Sequence, residues 1–436
     1  GISSFVSVGN KADISGNDLL LAWEDDPATD VIVLYLESFG NPRKFARVAR
    51  RVARTKPIVA VKSGRTAAGS RAASSHTGAL ASADVAVDAL FHQTGVIRTN
   101  TLEELFDVAQ LLANQPIPRG RRVGVITNAG GPGILAADAL ESNGLTMGEF
   151  SEELQEKLRS VLSPEASVRN PVDMIASAGP DQYLHMLKVL LDSDEIDALM
   201  AIYIPTTPEG VPEIAAAVRE ALSGYDGDKT FLSVFMQADD AAQMLGSAST
   251  RIPTYLFPEA AALALSRAVR YGEWLRVPEG SVPDLSGVDP QTARYVIDKA
   301  LARLGSDGGW LEPREVRDVL AAFGIGLPLE ETANSADEAA EIAETIGGPV
   351  AVKVIAPSAL HKSDVGGVLL DVEGDEAVRE AYENVRAAVE DPEGVLIQQM
   401  VPGGHEVLIG MTEDPSFGPL LAFGLGGVYV ELLKDV

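Results

Sequence analysis

Cysteine is absent from the sequence, which excludes disulfides, thiolate metal sites and cysteine nucleophiles. Positive charge is scarce: 35 lysines and arginines stand against 63 aspartates and glutamates, so the net charge is −28. Because such a polyanion repels nucleic acids and anionic lipids, we expect no nucleic-acid partner and no membrane partner. The sequence has no apolar run of membrane-spanning length, and residues 1–10 lack the pattern of a signal peptide. These absences favour a cytoplasmic protein.

The length of 436 residues, 46% of them hydrophobic, is too great for one ordinary core and predicts two or three domains. In residues 1–115 and again in residues 120–276, short apolar strands alternate with helices, which is typical of doubly wound α/β domains with a buried parallel sheet. Residues 290–436 combine helices with strands that we expect to be antiparallel, which indicates an α+β domain. Residues 277–290, rich in Pro, Gly, Ser and Asp, are predicted to be the linker before it.

The predicted elements locate the candidate sites, because ligands in open α/β sheets bind beyond the carboxyl ends of the strands. Strands are predicted at residues 31–36, 58–62, 123–127, 198–204, 231–236, 254–257, 350–355, 368–372, 395–401 and 407–411. Helices are predicted at residues 42–54, 102–112, 181–191, 212–222, 313–323, 336–346 and 375–389.

His76 lies in a loop of small and basic residues that follows the second predicted strand, and Glu37 directly follows the first. Neutral imidazole attacks phosphorus without prior deprotonation, so an exposed loop histidine suits a nucleophile that accepts a phosphoryl group. Glu37 would orient this ring by accepting a hydrogen bond from its other nitrogen. The alternatives are a histidine that caps or packs against its own loop and a carboxylate that favours a helix start.

The stretch Asn128-Ala-Gly-Gly-Pro-Gly133 connects a predicted strand to a helix. Glycines permit close approach of the backbone, and a helix N-terminus presents free N–H groups to an anion. We therefore predict that Asn128, Gly130, Gly131 and Gly133 bind phosphate. The stretch is neither a Walker motif nor a dinucleotide fingerprint, and a tight turn without a ligand is the alternative.

The third domain holds a candidate nucleotide site. Lys353 lies inside an apolar strand, where an ammonium group needs an anionic partner because burying an unpaired charge is costly. A glycine pair precedes the next strand and would lie over phosphates, and the strand after it offers an apolar wall. A lysine of an edge strand that reaches solvent is the alternative for Lys353. The predicted nucleotide-binding residues are Lys353, Lys362, Gly366, Gly367, Gln399, Val401 and Glu406.

Together these motifs resemble the ADP-forming acyl-CoA synthetases, relatives of succinyl-CoA synthetase. In the first two domains the resemblance rests on Val8-Gly9-Asn10, Leu36-Glu37-Ser-Phe-Gly, Ser-Ser-His76-Thr-Gly-Ala and Asn128-Ala-Gly-Gly-Pro-Gly133. In the third domain Val-Lys353, His361-Lys362-Ser-Asp364-Val-Gly-Gly367 and Phe423-Gly-Leu-Gly-Gly427 are similar to an ATP-grasp domain. The resemblance covers essentially the whole chain in the order of the family. It implies two flavodoxin-like α/β domains of the succinyl-CoA synthetase type and a partial ATP-grasp domain.

The resemblance implies a phosphohistidine relay. Acyl-CoA and phosphate would give an acyl phosphate, His76 would take its phosphoryl group while Glu37 steadies the ring, and the ATP-grasp domain would pass the group to ADP or run the reverse. A histidine that matches His361 has been proposed as a second carrier in some family members. The implied ligands are ATP or ADP, Mg²⁺, coenzyme A and a carboxylic acid or acyl phosphate. The oligomeric state stays open, with a homo-oligomer among the alternatives.

Two parts of the family pattern are expected outside this chain. The CoA-binding domain and a further anion-binding turn would lie upstream, in agreement with a predicted strand at residues 2–8 that has no start methionine before it. The aspartate and asparagine that usually bind magnesium would follow Val436, so no metal ligand is predicted within the chain. The alternative from another class is the ligand-sensing regulatory module of a protein lysine acetyltransferase, with the acetyltransferase domain outside this chain. The presence of His76 favours the enzyme.

Overall fold

The computed structural model describes residues 1–9, 11, 13–65, 84–206, 210–237, 241–246, 252–305, 308–356, 366–401 and 403–426. The chain divides into two compact units, Gly1–Glu279 with Ile409–Ala422, and Gly280–Leu408 with Phe423–Val436. Within the described ranges, no helix is both long and apolar enough to cross a membrane.

The first sheet of the first unit has three parallel strands in the order β1-β2-β3. Four of the five residues of β2 are buried, as expected for a central parallel strand that is covered on both faces. Asn41 begins the neighbouring helix α2 by accepting a hydrogen bond from the backbone N–H of Lys44 at 2.9 Å. The elements are β1 (Ile32–Leu36), β2 (Ile58–Lys62), β3 (Ile97–Thr99), α1 (Gly16–Glu24), α2 (Pro42–Val52), α3 (Asp84–Thr94) and α4 (Leu102–Asn114).

The second sheet is five-stranded and parallel, in the order β5-β4-β6-β7-β8. Its strands are β4 (Val123–Thr127), β5 (Val172–Asp173), β6 (Ala198–Tyr203), β7 (Thr230–Phe235) and β8 (Thr254–Tyr255). Its helices are α5 (Gly130–Ser142), α6 (Glu152–Arg159), α7 (Pro180–Asp192), α8 (Gly210–Ser223), α9 (Ala241–Leu245) and α10 (Pro258–Arg276). Leu199 and Ala201 of β6 enter one core, and Met200 and Ile202 enter another. The sheet is therefore doubly wound. All its strands are parallel, and their order is that of flavodoxin-like sheets, in which the strand order reverses between β4 and β6.

Helix α10 joins the two sheets of the first unit. The guanidinium carbon of Arg54 lies 4.2 Å from the ring centroid of Trp274, which in turn stacks on Tyr271. The Tyr271 hydroxyl donates a hydrogen bond to the carbonyl oxygen of Ala53 at 2.6 Å. Gly95 is required at this contact, because a Cβ there would lie 2.5 Å from the Trp274 ring. These contacts fasten the first sheet to the helix that covers the second.

The second unit is built around a four-stranded antiparallel sheet in the order β11-β10-β12-β9. Its core contains Val352, Val354, Ile397 and Tyr382. The strands are β9 (Glu330–Ala333), β10 (Val350–Ile355), β11 (Val368–Val372) and β12 (Gly394–Gln399), and the helices are α11 (Pro290–Leu304), α12 (Pro313–Ala322), α13 (Ala336–Ile346) and α14 (Asp375–Ala387). Two further strands, β13 (Val407–Asp414) and β14 (Gly418–Leu425), pair in a separate sheet, and their residues Ile409–Ala422 belong to the first unit.

The predicted fold class, two doubly wound parallel α/β domains followed by an α+β domain, is confirmed. The strand predicted at residues 2–8 is wrong: residues 1–9 form no strand, and Ile2 and Phe5 are 80% and 85% exposed. Apolar character without a neighbouring strand to pair with does not make a sheet. The limits predicted for the three domains stay a prediction.

Candidate functional site

Glu37 lies at the carboxyl edge of the first sheet, directly after β1, and its side chain is exposed. Lys62 ends the neighbouring strand β2, so it lies at the same edge. Its ammonium group donates a hydrogen bond to the Ser63 carbonyl oxygen at 2.5 Å. Lys11 arrives from the segment before α1, and its ammonium group donates to the carbonyl and hydroxyl oxygens of Ser38 at 2.5 and 3.2 Å. One carboxylate and two ammonium groups therefore meet at this edge.

The charges at this edge influence one another. Partial burial lowers the pKa of Lys11 below its usual value, and the negative charge of Glu37 opposes this effect. Burial also lowers the pKa of Lys62, against the opposing charges of Asp84 and Glu37. Both ammonium groups are therefore partly desolvated yet close enough to Glu37 to feel its charge. A small anion that enters here would meet positive charge in a region of reduced dielectric screening.

A network of hydrogen bonds fixes the chain where it leaves β2. The guanidinium of Arg65 donates to the Asn100 side chain at 2.6 Å and lies 3.5 Å from the carboxylate of Asp84. Arg98 on β3 pairs with the same carboxylate and, at 3.1 Å, with Asp88. The segment that carries His76 begins directly after Arg65, and His76 lies outside the described residues. The predicted contact between His76 and Glu37 therefore stays a prediction.

At the carboxyl edge of the second sheet, β4 is followed by Asn128, and the neighbouring strand β5 ends in Asp173, whose carboxylate lies 3.1 Å from where a Cβ of Gly130 would be. The buried side chain of Asn128 accepts a hydrogen bond from the Ile204 N–H at 2.9 Å and donates one to the Ile204 carbonyl at 2.8 Å. Asn128 thus holds together the ends of β4 and β6, the two strands between which the strand order reverses. The side-chain amide of Asn128 is therefore occupied by Ile204, and its backbone N–H faces the hydroxyl group of buried Tyr183.

Helix α5 begins at Gly130, inside the stretch that the sequence predicted as a turn. Its N-cap is Ala129, whose methyl side chain cannot satisfy the free N–H groups of the first turn. Gly130 and Gly131 are exposed, and a Cβ at Gly131 would meet nothing within 4 Å. Gly133 is buried and packs against Thr127. A Cβ at Gly133 would lie only 3.1 Å from the Thr127 methyl group. The open helix start can receive an anion, while Gly133 serves packing.

In the second unit, half-buried Lys353 has a neutral first partner. Its ammonium group donates to the Gln398 side-chain oxygen at 2.6 Å, and the Gln398 amide donates to the Glu330 carboxylate at 2.5 Å. The glycine pair lies beside the same strand, because the Val354 N–H donates to the Gly367 carbonyl at 2.8 Å. Lys353, Gly366 and Gly367 are thus brought together.

The remaining predicted nucleotide-binding residues are more scattered. Gln399 accepts a hydrogen bond from the Leu329 N–H at 3.2 Å, so its side chain holds the approach to β9. Val401 is 66% exposed, and Glu406 is exposed and uses its carbonyl oxygen to bind the Gly426 N–H at 2.7 Å. His361 and Lys362 lie outside the described residues. Over the part of the chain that is described, no three His, Asp or Glu side chains gather as a metal site would require.

Lys11 and Lys62 were missed by the sequence reasoning. The available signal for Lys62 was the one that identified Glu37, a charged residue at the carboxyl end of a buried parallel strand. Lys11 gave no comparable signal, because it comes from an irregular segment whose path is fixed by contacts with Ser38.

Comparisons with known proteins agree with this architecture. Three family models match consecutive parts of the chain: a succinyl-CoA ligase-like flavodoxin domain at residues 1–112, a ligase-CoA domain at 123–273 and an ATP-grasp domain at 302–436. An ADP-forming acetate–CoA ligase I of Archaeoglobus fulgidus is 39% identical over 445 residues, which cover 100% of this chain and 62% of that protein. An ADP-forming 4-hydroxybutyrate–CoA ligase of Nitrosopumilus maritimus is 34% identical, with 100% of this chain and 63% of that protein covered.

A solved structure is also similar, the dinucleotide-forming acetyl-coenzyme A synthetase 1 of Candidatus Korarchaeum cryptofilum in complex with phosphate and ADP. It shares 35% identity and a TM-score of 0.59 over 63% of this chain and 60% of that chain. This chain therefore spans less than two thirds of the length of these relatives. The match of all three domain models in one order, with relatives of one kind over the full chain, confirms the predicted resemblance. Over its full length the chain is similar to ADP-forming acyl-CoA ligases, and its three domains match the succinyl-CoA ligase-like, ligase-CoA and ATP-grasp models in order.

Proposed function

We propose that this protein is an ADP-forming acyl-CoA synthetase, an acid–thiol ligase that interconverts acyl-CoA, ADP and phosphate with a carboxylic acid, CoA and ATP. The observation that carries the proposal is the edge of the first sheet, where Glu37 lies beside the ammonium groups of Lys11 and Lys62. Strand β2 leads from this edge into the segment that holds His76. The ligase names of both relatives support this function over a regulatory module.

The proposed reaction has three transfers. A phosphate oxygen attacks the thioester carbonyl, and the CoA thiolate leaves, which gives an acyl phosphate. A ring nitrogen of His76 then attacks phosphorus; the P–N bond forms as the P–O bond to the acyl group breaks, and the carboxylate leaves. Finally an oxygen of the ADP β-phosphate attacks phosphorus, the P–N bond breaks, and ATP and neutral imidazole result. Glu37 accepts a hydrogen bond from the second ring nitrogen and so stabilises the positive charge that develops on the ring.

The binding sites follow the predicted domains, 1–115, 120–276 and 290–436. The open start of α5, at Gly130 and Gly131, holds through backbone N–H groups the phosphate that attacks acyl-CoA. The glycine pair and Lys353 hold the nucleotide phosphates, with Lys362, Gln399, Val401 and Glu406 around them. Where His361 serves as a second carrier, its ring nitrogen takes the phosphoryl group from His76 as that P–N bond breaks, and ADP then takes the group from His361, which adds one transfer. The phosphate and ADP in the related Korarchaeum structure are the ligands that this assignment requires. We also propose a cytoplasmic location, with coenzyme A bound by a domain outside residues 1–436.

Magnesium accompanies nucleotides in phosphoryl transfer, where it neutralises developing charge. The described residues offer no group of three acidic or imidazole ligands, so they do not fit a dedicated magnesium site. No step above is therefore routed through the metal.

The test is phosphorylation of the full-length protein by γ-labelled ATP and magnesium. We expect a label that is lost in acid and kept in alkali, because protonation makes imidazole a good leaving group from a phosphoramidate. His76→Ala should abolish both the label and ATP formation from acyl-CoA. His92→Ala is the matched control, since His92 is an exposed histidine of the same domain on α3. An unlabelled wild type, or a His76→Ala protein with unchanged ATP formation, would show the proposal to be wrong.

A further inference from the structure

Lys62 and Lys11 have hydrogen-bond partners without formal charge, although both are partly buried. Lys62 donates to the carbonyl oxygen of the next residue, Ser63, and Lys11 donates to Ser38. An ammonium group has three N–H donors, so within the described residues Lys62 uses one of its three. Holding two ammonium groups partly out of water at one edge costs free energy that these neutral partners do not fully return.

Lys56, at the other end of β2, shows what a lysine with a purely structural task looks like in this domain. It is also half-buried, but its ammonium group donates to the carbonyls of Trp23 and Asp26 at 2.7 and 2.6 Å. These carbonyls lie at the end of α1, where backbone oxygens lack helical partners and a positive charge is favourable. Among the described residues, Lys62 donates only to the Ser63 carbonyl oxygen, with the charges of Asp84 and Glu37 acting on it, and it lies at the edge where ligands bind in parallel sheets.

We infer that Lys62, together with Lys11, binds the oxygens of the phosphate group that is handled beside Glu37. The inference rests on the proposed function and adds two positioning residues to it. Phosphate near neutral pH carries up to two negative charges, and Glu37 alone would repel it. Two ammonium groups offset two of these three negative charges, and a partly desolvated site strengthens their attraction to the phosphate oxygens. Lysine acts here as a point charge, which suits a group whose oxygens change position during transfer.

The experiment compares Lys62→Met, Lys62→Arg and Lys11→Met with Lys56→Met in the full-length protein. Two quantities are measured: the Kd for inorganic phosphate by calorimetric titration, and the KM values for phosphate and ADP during ATP formation from acyl-CoA. Loss of one charge-assisted contact should raise the Kd and KM for phosphate by roughly 10- to 100-fold, because such bonds contribute more than neutral ones. The KM for ADP should stay within about 2-fold of wild type, since the nucleotide site is proposed elsewhere.

The other variants separate charge from structure. Lys62→Arg keeps the charge and should recover most of the phosphate affinity, whereas Lys11→Met should show a smaller loss than Lys62→Met. Lys56→Met should lower the melting temperature because it exposes the end of α1, yet leave the Kd and KM for phosphate unchanged. The inference is overturned if Lys62→Met keeps the wild-type Kd and KM for phosphate, or if Lys56→Met raises them equally.

The two proposals fail separately. If the wild type binds phosphate in a manner that depends on Lys62 but forms no ATP from acyl-CoA, the proposed function is wrong and the lysine site stands. If the wild type forms ATP and its phosphate affinity is indifferent to Lys62 and Lys11, the lysine site is wrong and the function stands.

Discussion

The two parallel sheets of the first unit share an architecture and differ in the chemistry of their carboxyl edges. At the first edge, strands end in charged side chains, with Glu37 after β1 and Lys62 at the end of β2. At the second edge, β4 is followed by the amide of Asn128 and an uncapped helix start, with the Asp173 carboxylate at the end of the neighbouring strand. A charged edge can orient a reacting group and change affinity with protonation, whereas backbone N–H groups hold an anion without titrating. The fold supplies the position, and the one or two residues after each strand decide what the position can do.

The largest effect should come from the carboxylate of the charged edge. Glu37→Gln removes the negative charge that stabilises a positively charged ring while keeping the side chain's size. We expect the phosphoryl-transfer rate to fall by about 100-fold, the upper range for residues that orient a reactive group. Rapid-quench measurement of the phosphohistidine label checks this. Glu24→Gln, which weakens a pair with exposed Arg51 away from this edge, is the control. If Glu37→Gln transferred the phosphoryl group at the wild-type rate, the Glu37 carboxylate would have no part in the mechanism.

The next effect concerns the second edge and should appear in the stability of the protein. Asn128→Ala leaves the N–H and carbonyl of Ile204 without their partners at the end of β6. The expected loss in the free energy of unfolding is about 2 kcal/mol, measured by urea denaturation. Asn143→Ala is the control, because it removes one side-chain hydrogen bond at a helix end and should cost less. Equal losses in the two variants would show that the hydrogen bonds between Asn128 and Ile204 stabilise the fold no more than one hydrogen bond at a helix end.

A smaller effect separates anion binding from stability at the same edge. A methyl group at Gly131 meets no atom within 4 Å, so Gly131→Ala should leave the melting temperature unchanged or raise it. The same methyl group narrows the approach to the N–H groups of α5, and the KM for phosphate should rise by roughly 5-fold. Gly148→Ala, another glycine with open space around it, should change neither quantity. An unchanged KM in Gly131→Ala would contradict a phosphate site at the start of α5.

The smallest effect tests whether a carboxylate with a raised pKa must belong to a functional site. Burial, followed by the charge of Glu103, raises the pKa of Asp107 on α4 to about 6. The folded state therefore binds this proton more tightly than the unfolded state, so stability falls as the pH rises from about 4 to about 6 and is level above that range. Asp107→Asn should have a slightly higher melting temperature than wild type at pH 8 and an equal one near pH 4. The opposite trend would show that the ionised carboxylate has a partner that stabilises it.

The strands of both parallel sheets were predictable because buried parallel strands are nearly continuous apolar runs. The predicted strands at 58–62, 123–127 and 350–355 coincide with β2, β4 and β10. The two-residue strands β5 and β8 show why other limits failed, since pairing with a neighbour defines them and no periodicity does. Helix α5 starts earlier than expected, because glycine is unfavourable in a helix interior but is tolerated in its first turn.

The candidate site was predictable only in part. That Glu37 would lie at a ligand-binding edge follows from the parallel strand before it. The approach of Lys11 to the same edge depends on a chain path through Ser38, which no local pattern encodes. Likewise, the hydrogen bonds between Asn128 and Ile204 require the strand order that places β4 beside β6. Long-range neighbours of this kind are set by the assembled fold.

The stacking of Arg54 on Trp274 has a consequence for where this chain can be severed. A polypeptide that ended after α4 would leave Arg54 without its aromatic cover and without the backbone carbonyls of Leu275 and Val277 that it binds. Gly95 would then border an empty space shaped for an indole ring. A break within residues 278–289, where no helix or strand is formed, cuts none of these contacts. A piece of the first unit that keeps this contact covered must therefore extend at least to Val277.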